Sequence, residues 1–188
     1  MNDCIVIDGS WGEGGGQIIR TSCSLAAITG RAVQIYNVRA GRTKPGLQPQ
    51  HLMAVRAAAQ LCNAKLSGDS VGSVSFCFEP QSEAQPGEYS FEIGTAGAAS
   101  LVTQTVLLPL ALTGKTSRVR VTGGTHVPHS PPVEYLQTVY APLLRRAGLD
   151  VEVGYSSAGF YPKGGGEIEI NIGAAKEIQA LDLAERGK

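Results

Sequence analysis

The chain repeats itself, and that repeat limits the possible folds more than any single motif does. A shift of 84 residues lays Thr21–Gly30 (TSCSLAAITG) on Thr105–Gly114 (TVLLPLALTG), Arg31 on Lys115, Leu52 on Leu136, Val55 on Val139 and Ala57 on Ala141, without a gap. Identity between the copies is low. What recurs is the order of apolar runs and turns, the signature of one supersecondary unit used twice. Each unit reads strand, Gly/Ala-rich turn, helix, Thr-Gly-basic turn, strand, loop, helix and two further strands. The first unit has these elements at Cys4–Ile7, Gly16–Thr29, Ala32–Val38, Leu47–Cys62, Ala64–Leu66 and Val74–Phe78. The second has them at Tyr89–Ile93, Ala98–Thr113, Arg118–Val121, Pro132–Ala147, Asp150–Val153 and Glu167–Ile172.

Periodicity refines this outline. The first helix of each unit is apolar nearly all round and is expected to be well buried. The second carries polar residues, as at Arg56, Gln60, Gln137 and Arg145. Ile168 and Ile170 alternate with Glu167 and Glu169, which suits a strand with one wet face. The expected fold class is α+β, an α/β sandwich of two tandem βαβαββ units with mixed sheets packed on helices. The expected units are residues 1–82 and 83–173, followed by a tail, 174–188, of weak helical character.

Composition narrows the class of protein. With 43% apolar and 17% charged residues in 188, the chain can bury a proper core and is not disordered. Its longest apolar stretch, Val106–Leu112, is far too short to span a bilayer, so no membrane contact is expected. The N-terminus lacks a basic n-region followed by an h-region, so no signal peptide is read. Cys4, Cys23, Cys62 and Cys77 are scattered without a CxxC pair and read as buried free thiols of a cytoplasmic protein. Formal net charge is zero, so anion binding must come from local clusters rather than a global field.

The first such cluster is Asp8–Arg20, DGSWGEGGGQIIR. It joins a strand to a helix. Its glycines let a ligand approach closely, and the helix start offers free N–H groups to an anion. Glu13 adds a carboxylate and Arg20 a guanidinium, together suggesting a phosphate-and-metal site. Two familiar motifs are excluded. Gly114-Lys115-Thr116 resembles the end of a P-loop, but Pro109 stands where a glycine is required, and its counterpart Gly30-Arg31-Ala32 marks both as helix C-caps. A dinucleotide fingerprint fails because Gln17 replaces the last glycine and the second strand ends without an acid.

Function is sought where the copies diverge. The first unit carries Arg39-Ala-Gly-Arg42-Thr-Lys44-Pro-Gly-Leu-Gln-Pro-Gln50-His51 between its second strand and second helix. Three cations in six residues, with Gly and Pro shaping the loop, make an anion cradle. The second unit has Gly123-Gly-Thr-His126-Val-Pro-His129-Ser-Pro131-Pro132 there, without the arginines. Arg20 corresponds to Gln104, both polar groups in apolar helices. His126 and His129 lack further ligands for a metal site. Tyr161-Pro-Lys163-Gly-Gly-Gly166 reads as a hairpin loop with some prospect of touching nucleic acid.

The Asp8–Arg20 and Arg39–His51 segments, with Gly159-Phe-Tyr-Pro-Lys-Gly-Gly-Gly166, strongly resemble the RNA 3′-terminal phosphate cyclases, and the resemblance runs over nearly the whole chain. It implies repeated βαβαββ units like those of the C-terminal domain of translation initiation factor 3 and of EPSP synthase. It implies ATP and a divalent metal (Mg or Mn) as cofactors and RNA 3′-phosphate ends as substrate. A histidine takes AMP from ATP, the AMP passes to the RNA 3′-phosphate, and the 2′-hydroxyl closes the cyclic phosphate. Carried over by residue, Glu13 would hold the metal, and Arg20, Arg39 and Arg42 would neutralise phosphates with Gln50 and His51 beside them. Gln104 would contact the nucleotide and Pro131 would pack on its adenine.

The resemblance also implies that family members run beyond 300 residues, with a domain inserted after the second unit and the nucleophilic histidine in the C-terminal part. His51, His126 and His129 do not match that histidine's motif. The expectation is therefore an N-terminal portion that holds the ATP and phosphate cradle without a catalytic residue of its own, and that self-associates through the surface left by the missing unit. Alternatives from other classes are a non-catalytic RNA-binding protein of ribosome biogenesis and an EPSP-synthase-like transferase.

Overall fold

The computed structural model describes residues 4–174 and 177–184. Its first half runs β1 (Ile5–Asp8), α1 (Gly16–Thr29), β2 (Val33–Tyr36), α2 (Pro49–Leu61), β3 (Lys65–Ser67) and β4 (Phe76–Glu79). Its second half runs β5 (Glu88–Glu92), α3 (Ala99–Ala111), β6 (Ser117–Gly123), α4 (Val133–Tyr135), a π-helical stretch (Leu136–Tyr140), α5 (Ala141–Arg146), β7 (Val151–Ser157) and β8 (Gly166–Ile172). The two four-stranded sheets have the same plan. Their orders are β1-β2-β4-β3 and β5-β6-β8-β7, with the first pair parallel and the other two antiparallel. A parallel pair needs a crossover, and α1 and α3 supply it. The fold is thus α+β, with two mixed sheets and the sequence repeat visible as repeated topology.

Local chemistry explains most boundaries. Gly30 caps α1 in the left-handed region at φ 68°, its N–H on the Ala26 carbonyl at 2.9 Å. Gly114 takes the same conformation at φ 69° after α3, as the repeat predicts. The helix expected over Pro132–Ala147 is present but irregular. Pro142 has no N–H to donate and its ring crowds the carbonyl four residues back, so the turn before it widens into the π stretch.

Three further expectations need correcting. Helix α3 is almost wholly buried, but α1 is not: Gln17, Thr21 and Leu25 face outward because only one side of α1 meets α2 and α3. Of the thiols, Cys23 and Cys62 are buried, Cys77 is half-buried and Cys4 is exposed. Burial pushes the Cys62 thiol up to about 11 and raises Cys23 further. The described tail residues, 174 and 177–184, form no helix, and the rest of that expected element lies outside the described residues.

The apolar residues form two cores that meet at α2. Leu52, Val55, Ala58, Ala59 and Cys62 enter the core under the first sheet with Ile19, Ile35, Phe76 and Phe78. Ala54, Ala57 and Leu61 enter the core under the second sheet with Val102, Val106, Val119 and Ile168. The β7–β8 hairpin loop is packed against backbone. A Cβ on Gly159 would collide with Gly166 and with the Gly123 carbonyl, whereas one on Gly154 would meet nothing within 4 Å. Overpacking of this kind costs about 1–3 kcal/mol. Gly159→Ala is therefore expected to lower the urea-unfolding free energy by that amount, and Gly154→Ala to change it by less than about 0.5 kcal/mol.

Candidate phosphate-binding site

The glycine loop after β1 is fastened at its base. The Asp8 carboxylate accepts hydrogen bonds from the Ser10 N–H (2.9 Å), the Ser10 hydroxyl (2.7 Å) and the Asn37 amide (3.2 Å). These bonds, those of Ser10 foremost, hold the Asp8 carboxyl below its usual pKa. Gly12 and Gly14 take φ of 62° and 55°, which turns the loop back over the start of α1. Gly15 is the N-cap and no side chain caps it. The first N–H groups of α1 have no intrahelical acceptor, so the helix presents donors and a positive dipole end to a ligand. Gly16 is demanded by closeness rather than by backbone angle. A Cβ there would collide with the His51 ring and lie 2.8 Å from Arg20 Nη1.

The cationic loop lies opposite. Arg39, at φ 54°, donates from Nη1 to the carbonyls of Lys44 (2.7 Å) and Gly46 (2.8 Å). One edge of its guanidinium therefore shapes the loop, and the remainder is left for a ligand. Arg42 Nη2 donates to Glu13 Oε2 at 3.4 Å, and since Glu13 is 93% exposed the pair is worth little. Arg20 is half-buried and donates to Gln17 Oε1 at 3.1 Å. Among the described residues neither Arg20 nor Arg39 has a carboxylate partner. Burial lowers the pKa of both guanidiniums.

His51 sits at the start of α2 with Gln48 as N-cap and Pro49 in the first turn. Its Nδ1 accepts the Gln48 N–H at 3.2 Å, closing a capping box with the Gln48 side chain. Burial first, then Arg39 and Arg20, push its pKa down to about 3, so the ring is neutral. With Nδ1 accepting, the ring proton is assigned to Nε2, on the side facing Gly16. His51 is thus a neutral donor beside the cations. Gln50 Oε1 accepts the Ala98 N–H at 2.8 Å and ties α2 to the entry of α3.

These groups converge on a cavity of about 470 Å³ lined by Glu13, Gly15, Gly16, Gln17, Arg20, Arg39, Arg42, Gln50 and His51, and closed by Ala98, Leu101, Pro128 and His129. Gln104 lies in an adjoining cleft of about 290 Å³ between α1 and α3, which shares Gln17 and Arg20 with the first. Pro131 lines neither cavity. Pro128 and His129 take that place because the loop turns at His129, where φ is 64°. Sequence reasoning missed both, along with Gln17, although His129 stood out in the divergent loop. His126 is committed elsewhere, with Nδ1 2.8 Å from the Thr125 hydroxyl and Nε2 2.9 Å from the Glu134 carboxylate. That pairing lowers the Glu134 pKa.

Among the described residues no cluster of three or more His, Cys, Asp or Glu could hold a metal. Among the described residues Glu13 is the one carboxylate that lines the cavity. One carboxylate together with a ligand's phosphate oxygens suits Mg²⁺-type coordination, not a closed protein cage.

Fold and site together define an α+β protein with an arginine-lined cavity at the junction of two related units. A sequence model of the RNA 3′-terminal phosphate cyclases matches residues 11–184, and the chain belongs to that family. It is 50% identical to an RNA 3′-terminal phosphate cyclase of Gloeothece citriformis over 187 residues, which is 96% of this chain and 53% of the relative. It is 51% identical to that of Nostoc punctiforme over 190 residues (98% and 55%) and 46% identical to that of Sulfurisphaera tokodaii over 184 residues (98% and 53%). The chain spans about half the length of the curated relatives it matches. No helix among the described residues is long and apolar enough to cross a membrane.

The His51 environment has a pH signature. Its folded pKa, about 3, lies below its ordinary value of 6.5, so below pH 6.5 the unfolded chain takes up a proton that the folded chain refuses. Stability from this group is complete above pH 6.5 and is lost as pH falls toward 3. Urea titrations at pH 7 and pH 5 are expected to differ by about 1–2 kcal/mol. In His51→Gln, which can keep the capping box, that difference is expected to shrink.

Proposed function

We propose that this chain forms the ATP- and phosphate-binding part of an enzyme that converts an RNA 3′-terminal phosphate to a 2′,3′-cyclic phosphate at the expense of ATP. The observation that carries this reading is Arg20. It is a half-buried cation without a carboxylate partner among the described residues, set beside an uncapped helix N-terminus. Such an arrangement is stabilised by an anion from outside the chain.

The chemistry runs through two adenylylated species. A histidine displaces pyrophosphate from ATP and takes up AMP. The RNA 3′-phosphate displaces that histidine and becomes the RNA–adenylate. The 2′-hydroxyl then attacks the activated phosphorus, loses its proton and expels AMP. Each step gathers negative charge, so positioning and charge neutralisation do most of the work. Arg20, Arg39 and Arg42 hold phosphoryl oxygens, the α1 N–H groups add neutral donors, and His51 Nε2–H adds one more without adding charge. Gln104 meets the nucleotide from the adjoining cleft. A divalent cation, Mg²⁺ or Mn²⁺, held by Glu13 and phosphate oxygens, supplies further charge neutralisation.

The histidine that accepts AMP is proposed to be none of the three in this chain. His51 is buried in its cap, His126 has both ring nitrogens engaged, and the His129 ring has no hydrogen-bond partner among the described residues to orient it. The four free thiols suit a reducing cytoplasm.

Calorimetric titration with ATP and Mg²⁺ is expected to show Arg20→Ala binding about 10–100-fold more weakly, the scale of a charge-assisted contact. Arg56→Ala, which breaks a pair with Asp69 outside both cavities, is expected to bind as the parent does. Incubation with α-phosphate-labelled ATP is expected to leave no acid-labile AMP on this chain, and its appearance would place the nucleophile among His51, His126 and His129. Absence of measurable ATP binding by the unsubstituted chain overturns the reading.

A further inference from the structure

The hairpin loop between β7 and β8 holds two aromatic rings in water. Phe160 is 59% exposed and Tyr161 75% exposed. Single exposed apolar residues are ordinary, but these are rigidly supported. The Phe160 ring lies on the His126 ring, with centroids 5.1 Å apart and planes 23° from parallel. His126 is immobilised by Thr125 on one nitrogen and Glu134 on the other, and Tyr155 meets it edge-on at 6.2 Å. Below it, the Gly159 carbonyl accepts the N–H groups of both Thr125 (2.9 Å) and His126 (3.0 Å), and the Gly159 N–H donates to the buried Thr125 hydroxyl (2.8 Å). Gly164 closes the loop onto the Phe160 carbonyl at 2.8 Å and lies against Thr95 and Ala96. One face of Phe160 is thus fixed on a stack and the ring is left largely in water.

The loop's position gives that ring a use. His126 is two residues from Pro128 and three from His129, both of which line the cationic cavity. Three residues span at most about 10 Å, so the backbone of His126, which carries the stack, lies within that distance of His129 at the cavity wall. Lys163 extends from the same loop and is exposed. A cationic cleft next to a rigid aromatic face is the pairing that single-stranded nucleic acid needs, phosphate in the one and bases on the other. The α1–α3 cleft with Gln104 already offers the cavity a place for a mononucleotide, which leaves the aromatic face to the other substrate.

We propose that Phe160, with Tyr161 beside it, is a stacking platform for the unpaired bases just upstream of an RNA 3′-phosphate seated among Arg20, Arg39 and Arg42. The assignment rests on the function proposed above. It extends that function by stating where the RNA chain leaves the cavity and what recognises it there, independently of sequence.

The test is fluorescence anisotropy with a 5′-labelled single-stranded hexaribonucleotide ending in a 3′-phosphate, alongside the same strand made abasic at the two positions before its last nucleotide. Phe160→Ala is expected to weaken binding of the intact strand about 5–150-fold, the range for one stacked base. The abasic strand should bind weakly to the parent chain and be indifferent to Phe160→Ala. Phe160→Tyr should restore binding of the intact strand. ATP affinity, followed through Trp11, the single tryptophan and 82% exposed on the glycine loop, should not change in any Phe160 variant. Unchanged RNA affinity in Phe160→Ala overturns the platform while leaving the proposed function standing, provided Arg20→Ala still weakens RNA binding. Loss of ATP affinity with RNA affinity intact also overturns it, because the ring would then serve adenine. If the parent chain binds neither RNA nor ATP, the platform falls together with the function it rests on.

Discussion

Helix α2 belongs to two cores at once, and the rest of the architecture follows from that. Ala54, Ala57 and Leu61 pack under the second sheet, while Leu52, Val55, Ala58 and Ala59 pack under the first. A helix enclosed on both sides has little room for large residues, so its middle is alanine-rich. The small side chains let α1 and α3 approach it closely. The two units therefore share one helical layer and are not beads on a string. The N-terminus of α2, with Gln48, Gln50 and His51, is carried to the junction where the glycine loop of one unit meets the Ala98 turn of the other.

That junction collects positive charge that the described residues leave largely unneutralised. Three guanidiniums face one exposed carboxylate, and Arg39 spends part of its donor set on its own loop. His51 escapes becoming a fourth cation because burial and two neighbouring arginines keep it neutral. The site separates its roles accordingly. Arginines supply charge, the start of α1 supplies neutral donors, and His51 fixes the beginning of α2 while keeping one N–H toward the cavity.

Much of this was legible in the sequence, for identifiable reasons. The repeat predicted the shared sheet plan because turn glycines such as Gly30 and Gly114 need the same left-handed backbone in both copies. Glu13, Arg20, Arg39, Arg42, Gln50 and His51 were drawn together by two glycine- and proline-rich segments, and all six line one cavity. What stayed hidden depended on contacts distant in sequence. Nothing local to Gln50 reveals that it reaches Ala98, 48 residues on. The burial of His51 depends on its neighbours in space, not on its own helix. The turn at His129 that substitutes Pro128 for Pro131 at the cavity wall is a backbone detail without a periodic signal. The apolar character of α1 suggested full burial, yet a helix at the margin of a layer keeps one side open whatever its composition.

The bond between Gln50 and Ala98 also breaks a symmetry. A fold built twice from one plan begins with two equivalent helix starts, at α1 and at α3, each capable of receiving an anion. In the second copy that opening is stoppered from within, because the Gln50 amide oxygen occupies the Ala98 N–H and the Gly124 carbonyl takes the N–H of Ala99. In the first copy it stays open. The two copies thus differ in a few backbone donors, satisfied by the protein at the start of α3 and without a partner among the described residues at the start of α1.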